Sequence, residues 1–346
     1  MQIGAVHFGG PDRPAGALRD VLAQRIADVP AGGSIDWVTY YFRDRRLAAD
    51  LIAARHRGVA VRVALDGHPR AARANDAVIA LLRSELGDDL RAVRRAADGT
   101  PVGRLLRPRL HEKLYCFSHP EPVALVGSFN PSGDEPEQAP GVLHEIGDHD
   151  RGHNLLVELR DPALVAALVK HARRLHAARH AALDRFSPVA NRSLFGDALA
   201  VHFWPRVRPD PVYAWLRRLA PGSRVRLAAS HISGVSSRRA LPALAARGVA
   251  VEILSEATQR RVPSATQHAL EAAGVSFRRV ICDPWLPMHN KFALVEAGGE
   301  RWVIFGSFNW TEPSRRLNRE IGIVASDARL FDSLAERWQI LEAAAV

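Results

Sequence analysis

Two stretches hold most of the residues whose types and spacing could do chemistry. Met288 to Glu320 contains His289, Lys291, Ser307, Asn309 and Glu320, and a shorter echo contains His111, Lys113, Ser128 and Asn130. Each copy reads as a strand (KLYCF; KFALV), a turn, a second strand (VALVG; WVIFG) and a polar loop. Alternate strand residues point the same way, so a histidine and a lysine two apart reach one side of a sheet together. The serine and asparagine after the second strand can close over the same spot. An imidazole, an ammonium and short polar groups suit a tetrahedral anion, and phosphate is the obvious one. Neither copy suffices alone, because displacement at phosphorus needs an attacking group and a proton donor on opposite sides.

The surrounding chain must bring the copies together, and it repeats. AVHF occurs at residues 5–8 and 200–203. In both halves a helical stretch, an apolar strand (SIDWVTYYF; RVRLAAS), a helix closed by glycine (Gly58; Gly248) and a β-branched strand follow in the same order. A further helix and strand lead into each His-x-Lys stretch, and helices from Asp161 and Asp327 close the halves. Strands alternating with helices predict an α/β fold with mainly parallel sheets covered by helices; the last two strands of each half fit an antiparallel hairpin. Two domains are expected, 1–190 and 191–346, related by a pseudo-two-fold axis with the active site at their interface.

The pattern resembles the phospholipase D superfamily, whose signature is His-x-Lys, then Asp after four further residues, then Gly-Ser-x-Asn, carried twice. His-x-Lys and Gly-Ser-Phe-Asn match in both copies; Ser118 and Glu296 stand where the Asp would be. The resemblance implies a two-step reaction through a phosphohistidine. A neutral histidine attacks phosphorus, a protonated one opposite donates to the leaving oxygen, and water or an alcohol completes hydrolysis or transfer. Lys113, Lys291, Asn130 and Asn309 would stabilise the non-bridging oxygens, so no metal or other cofactor is expected. Registering RGHNLLVELRD against LNREIGIVASD sets Asn154 opposite Glu320. In the family an acidic residue there backs the histidine of its own motif. Glu320 is therefore expected to keep His289 protonated as the acid, with Asn154 leaving His111 neutral as the nucleophile.

Binding residues are expected around this centre: Ser128, Ser307, Asn154, Trp310, and Arg109 at the end of an arginine-rich insertion before His111. A second insertion, acidic and histidine-containing, follows Asn130; both suggest cleft-mouth loops. Arg260 and Arg261 are further candidates for holding anions. Trp285 and Trp310 can stack on a base, touch lipid or simply pack. His144, His149 and His153 lie among acidic residues, but their spacing is weak support for a metal. His171, His176 and His180, on an arginine-rich helix, are expected to face solvent.

The net charge of +10 favours polyanionic partners, although an arginine-rich composition alone is a weak guide. Two cysteines, one per half, suggest no disulfide framework, and a cytoplasmic location is expected. No apolar run is long enough to span a bilayer and no secretory signal is visible. The substrate is thus expected to be a phosphodiester, cleaved by a single chain whose two half-sites make it active as a monomer. A phospholipid is the leading reading, with peripheral contact to an anionic membrane. Nucleic acid is the alternative, and a non-catalytic phosphate-binding protein the third.

Overall fold

The computed structural model describes residues 3–93, 108–133, 137–178, 186–206, 210–283 and 285–346. Residues 94–107 of the arginine-rich insertion, 134–136 of the acidic one, and 179–185 with His180 lie outside them.

In the first half the order is β1 (Ile3–Gly9), α1 (Ala17–Ala27), β2 (Ser34–Thr39), α2 (Arg45–His56), β3 (Ala60–Asp66), α3 (Asp76–Leu86), β4 (Leu90–Val93), β5 (Leu114–Phe117), β6 (Val123–Gly127), α4 (Pro140–Glu145), β7 (Asn154–Leu159) and α5 (Pro162–Ala177). The second half runs β8 (Leu194–Phe195), β9 (Leu199–Trp204), α6 (Pro211–Leu216), β10 (Arg224–Ala229), α7 (Val235–Ala245), β11 (Ala250–Glu256), α8 (Ser264–Glu271), β12 (Ser276–Val280), β13 (Lys291–Ala297), β14 (Glu300–Gly306), α9 (Glu312–Arg316), β15 (Glu320–Ala325) and α10 (Ala328–Ala343). Local signals set the helix ends. Asp44, Asp161 and Asp327 each accept a backbone N–H three residues on, as N-caps. Gly58 and Gly248 take φ of 90° and 81° just past α2 and α7, a conformation that stops a helix.

The two sheets repeat one topology. The first is ordered β1-β7-β6-β5-β2-β3-β4, and the second, read from its other edge, β8-β9-β15-β14-β13-β10-β11-β12. The α/β class and the duplicated halves stand as expected, but the sheets are mixed rather than mainly parallel. Among the neighbouring strands of the two sheets, parallel pairing is confined to β2-β3-β4 and β10-β11-β12, where helices cross over; the remaining neighbours are antiparallel. The reason is connectivity: β5 and β6, like β13 and β14, are joined by short turns, which reverse the chain.

Strand alternation assigns the two faces. Leu114 and Cys116 join Phe292 and Leu294, with apolar residues of α5 and α10, in one core shared by both halves. Tyr115 and Phe117 face a separate core under α1, α2 and α3, while Ala293 and Val295 face another under α6, α7 and α8. Both sheets thus rest on one central layer, which holds the ends of β5 and β13 in fixed relation. Burying such side chains is worth roughly 1.5–3 kcal/mol each, so this layer opposes separation of the halves.

Candidate active site

His111 and Lys113 lead into β5, while His289 precedes Lys291 at the start of β13. Alternation turns the intervening Glu112 to the opposite face, where it meets His171 of α5 at 2.8 Å. His171 is therefore buried and stacked on Phe203, not solvent-facing as expected. Its spacing with Leu164, Leu168 and Leu175 on the inner face of α5 was the available signal.

Each histidine is clamped to the other half. The His111 N–H donates to Arg319 O at 2.9 Å, and the Arg319 N–H to Arg109 O at 2.8 Å. Reciprocally, the His289 N–H donates to His153 O and the His153 N–H to Pro287 O, both at 2.9 Å. Asp66 and Glu256, ending β3 and β11, accept from the backbone N–H groups of Leu110 and Met288 at 3.0 and 2.7 Å.

These clamps correct the expected ring partners. Glu320 follows Arg319 and so meets His111, with Oε2 at 2.8 Å from Nδ1. Asn154 follows His153 and meets His289, with Oδ1 at 2.9 Å from Nδ1. The pairing crosses between halves instead of staying within each motif.

The Gly-Ser-x-Asn motifs hold those partners. The Ser307 hydroxyl donates to Glu320 Oε2 at 2.5 Å and accepts the Ile321 N–H at 3.1 Å. The Ser128 hydroxyl donates to Asn154 Oδ1 and accepts the Leu155 N–H, both at 3.1 Å. Both serines are fully buried. Ser128, Ser307 and Asn154, expected to touch substrate, instead fix the histidines. The preceding glycines are steric necessities: a Cβ on Gly127 or Gly306 would lie 2.1 Å from Leu155 O or 2.3 Å from Ile321 O.

Since Asn154 Nδ2 donates to His149 O at 3.0 Å, its Oδ1 is the acceptor facing His289. Both histidine rings therefore carry a proton on Nδ1, leaving Nε2 without one. Both rings line one cavity of about 370 Å³, with Asn130, Asn309, Arg109, Arg260 and Arg261. Lys113 and Lys291 lie buried behind, their ammonium groups donating to His111 O at 2.7 Å and His289 O at 3.1 Å.

Burial dominates the electrostatics. It pushes His111 down to about 4 despite Glu320, and Lys113 down to about 7. Burial, then Lys291, holds His289 well below its usual value; burial, then Lys113, does the same to Lys291. Burial would raise Glu320, but His111, Lys113 and Ser307 outweigh it and keep the carboxylate ionised. The cleft thus surrounds two imidazoles held neutral by burial with buried basic groups, a setting that favours an anion.

Other expectations resolve differently. Arg109 reaches the cleft, donating to Tyr40 Oη at 2.6 Å. Trp310 does not: it is buried against Tyr213 and Phe308, with Arg315 over its ring. Among the described residues no group of three or more His, Cys, Asp or Glu side chains could hold a metal ion. Glu145, Ile146 and His149 of the acidic insertion line the cleft, with Val142 and Ile146 packed with Tyr40 and Tyr41. Sequence reasoning did not place Tyr40, Tyr41, His149 or His231 at the site. Only the strand-end position of Tyr40 and His231, before the cleft, hinted at them. Ser118 accepts the Ser34 N–H at 2.7 Å and Glu296 accepts from Arg226 at 2.8 Å, at the far ends of β5 and β13. No helix of the described residues is long and apolar enough to cross a membrane.

The chain resembles the mitochondrial cardiolipin hydrolases of Danio rerio, 33% identical over 98 residues, and Chlamydomonas reinhardtii, 30% over 95. Each match covers 28% of this chain and about two fifths of the relative. Among solved structures, phosphatidylserine synthase of Haemophilus influenzae Rd KW20 superposes over 100% of this chain and 89% of its own, at a TM-score of 0.66 and 12% identity. Polyphosphate kinase of Porphyromonas gingivalis covers 97% of this chain and 46% of its own, at 0.63 and 16%. At these identities the likeness is one of fold. A family model described as cardiolipin synthase, PLD-like domain, matches residues 29–138 and 219–340, which take in both His-x-Lys motifs. The chain belongs to the phospholipase D-like family.

Proposed function

We propose that this protein is a phosphodiesterase or phosphatidyl transferase acting on a phospholipid-type phosphodiester through a covalent phosphohistidine. One observation carries the reading: two imidazoles with Nδ1 engaged line a single cavity backed by two lysines. The single chain, divided near residue 190, then supplies both half-sites.

His111 Nε2 attacks phosphorus, the bond to the leaving oxygen breaks, and His289 Nε2 gives that oxygen its proton. Attack makes the His111 ring cationic, and Glu320 is the carboxylate placed to stabilise that charge. Asn154 supplies no charge, so His289 depends on the bound phosphate anion to become protonated and is then a strong acid. In the second step water or an alcohol attacks phosphorus, its proton passes to His289, and the bond to His111 breaks. Lys113, Lys291, Asn130 and Asn309 hold the non-bridging oxygens throughout. His111 keeps the nucleophile's role expected from sequence, for a different reason: its carboxylate favours the covalent intermediate.

The names of the cardiolipin-hydrolase relatives favour lipid; the arginines at the mouth, Arg70, Arg109 and Arg260, favour the nuclease alternative. Wild-type and Lys113→Ala protein should be assayed on phosphatidylglycerol, phosphatidylcholine, single- and double-stranded DNA and bis-p-nitrophenyl phosphate. Lipid head-group release abolished by Lys113→Ala is expected. DNA cleavage with lipid untouched would favour the alternative, and binding of phosphate esters without turnover would reject both.

A further inference from the structure

The cleft walls are not equivalent. At matching positions the first half has Tyr40, Tyr41 and Ala71, while the second has Ser230, His231 and Arg261. On the His111 side the Tyr40 ring lies 4.9 Å from the imidazole. On the His289 side the wall is cationic, and Glu145, Ile146 and His149 complete it.

Arg261 is 5% exposed. Its guanidinium donates to Ile146 O at 3.1 Å and, at 3.3 Å, to Ser230 Oγ, whose own N–H donates to Asn290 O beside His289. The nearest carboxylate, Glu256, is 3.7 Å away and already accepts the Met288 N–H, and Arg261 Nε has no partner. His149, 1% exposed, packs on His289 with ring centroids 4.2 Å apart. Asn130 Oδ1 accepts the Tyr41 N–H, so its Nδ2 faces His149 Nδ1 at 3.3 Å. His149 Nε2 has no partner. His231 lines the same wall, its Nδ1 taken by Ser230 Oγ at 2.9 Å. A buried polar group left without a partner is destabilising, so Arg261 Nε on a buried guanidinium, together with the unpartnered His149 Nε2, calls for an anion. Lys113, Lys291, Asn130 and Asn309 already serve the reacting phosphate.

We propose that Arg261, His149 and His231 form a second phosphate subsite on the His289 side, so that the leaving group of the substrate carries a phosphate of its own. That phosphate is either joined to the reacting one as an anhydride or held farther along an alcohol. Assigning it to the leaving group rests on the roles proposed above for His111 and His289; the subsite itself does not.

Calorimetry on the full chain tests this without turnover, using methylphosphonate, methylenediphosphonate and propane-1,3-diyl bisphosphate. At least one two-phosphorus probe should bind tenfold or more tighter than methylphosphonate, and which one does so distinguishes the two sources. Arg261→Gln should reduce that ratio below threefold, while Arg301→Gln, at the end of β14 away from the cleft and paired with Asp332, should leave it above tenfold. If thermal melting shows Arg261→Gln unfolded, His231→Asn should lower the ratio at least threefold. A wild-type ratio below tenfold, or one insensitive to the folded variant, overturns the subsite. Tight bisphosphonate binding without turnover of any diester would sink the phosphodiesterase reading alone, and turnover with a low ratio would sink the subsite alone.

Discussion

Replacing Glu320 with glutamine isolates the charge on the partner of the proposed nucleophile. Glu320 Oε2 accepts from both His111 and Ser307, while Asn318 Nδ2 donates toward Oε1 at 3.3 Å. A glutamine must place its amide oxygen where two donors converge, so His111 keeps its Nδ1–H tautomer and loses only the carboxylate. A hydrogen bond to a charged group contributes about 1.5–3 kcal/mol, and two unit charges about 4 Å apart at an effective dielectric of 20 interact by about 4 kcal/mol. Removing the charge as His111 becomes cationic should thus raise the barrier by about 2–4 kcal/mol, a rate loss of roughly 30- to 1,000-fold. Stopped-flow release of p-nitrophenolate from bis-p-nitrophenyl phosphate reads the phosphorylation step directly. The expected result is a loss in that range with substrate affinity changed far less. A loss under fivefold in folded protein would refute the assignment of Glu320 to the nucleophile.

Further outcomes follow from the same geometry. Asn154→Asp gives His289 a carboxylate, which should raise its pKa and move the alkaline limb of the pH–rate profile up by about a unit or more, read from kcat/KM against pH. Gly306→Ala places a Cβ 2.3 Å from Ile321 O and should cost about 2–4 kcal/mol in denaturant titration, with loss of the Ser307–Glu320 contact. Burial pushes His111, His153 and His202 down to about 4 from 6.5. Below 6.5 the unfolded chain takes up protons that the native chain does not. Their stabilising effect is therefore complete above pH 6.5 and lost as pH falls through 4, with about 3 kcal/mol for His111 alone. Thermal melts between pH 8 and 4 should show that monotonic fall.

The repeat was legible because each half writes the same order of strands and helices, with Gly58 and Gly248 at matching stops. Sheet polarity was less legible. The β-α-β pattern governs only β2-β3-β4 and β10-β11-β12, whereas turn length decides the direction of the hairpin strands. The residues proposed to react were legible as types, since paired His-x-Lys and Gly-Ser-Phe-Asn fix both position and spacing. The crossed partners were not, because Arg319 meets Arg109 and His153 meets Pro287 only through docking of the halves. A serine in a polar loop reads equally as ligand or brace, and only its contact with Asn154 or Glu320 shows the brace. His149 sits in an insertion with no repeat to align it, and Trp310 carries no mark in sequence separating a stacking platform from a core ring.

His111 is the group proposed to carry phosphorus. p-Nitrophenolate leaves without a proton donor, so His289→Ala protein mixed with bis-p-nitrophenyl phosphate should release one equivalent and stall. Peptide mapping by mass spectrometry under alkaline conditions, where phosphohistidine survives, should find the p-nitrophenylphosphoryl adduct on His111 and none in His111→Ala protein. An adduct on any other residue, or an undiminished burst in His111→Ala protein, would contradict it.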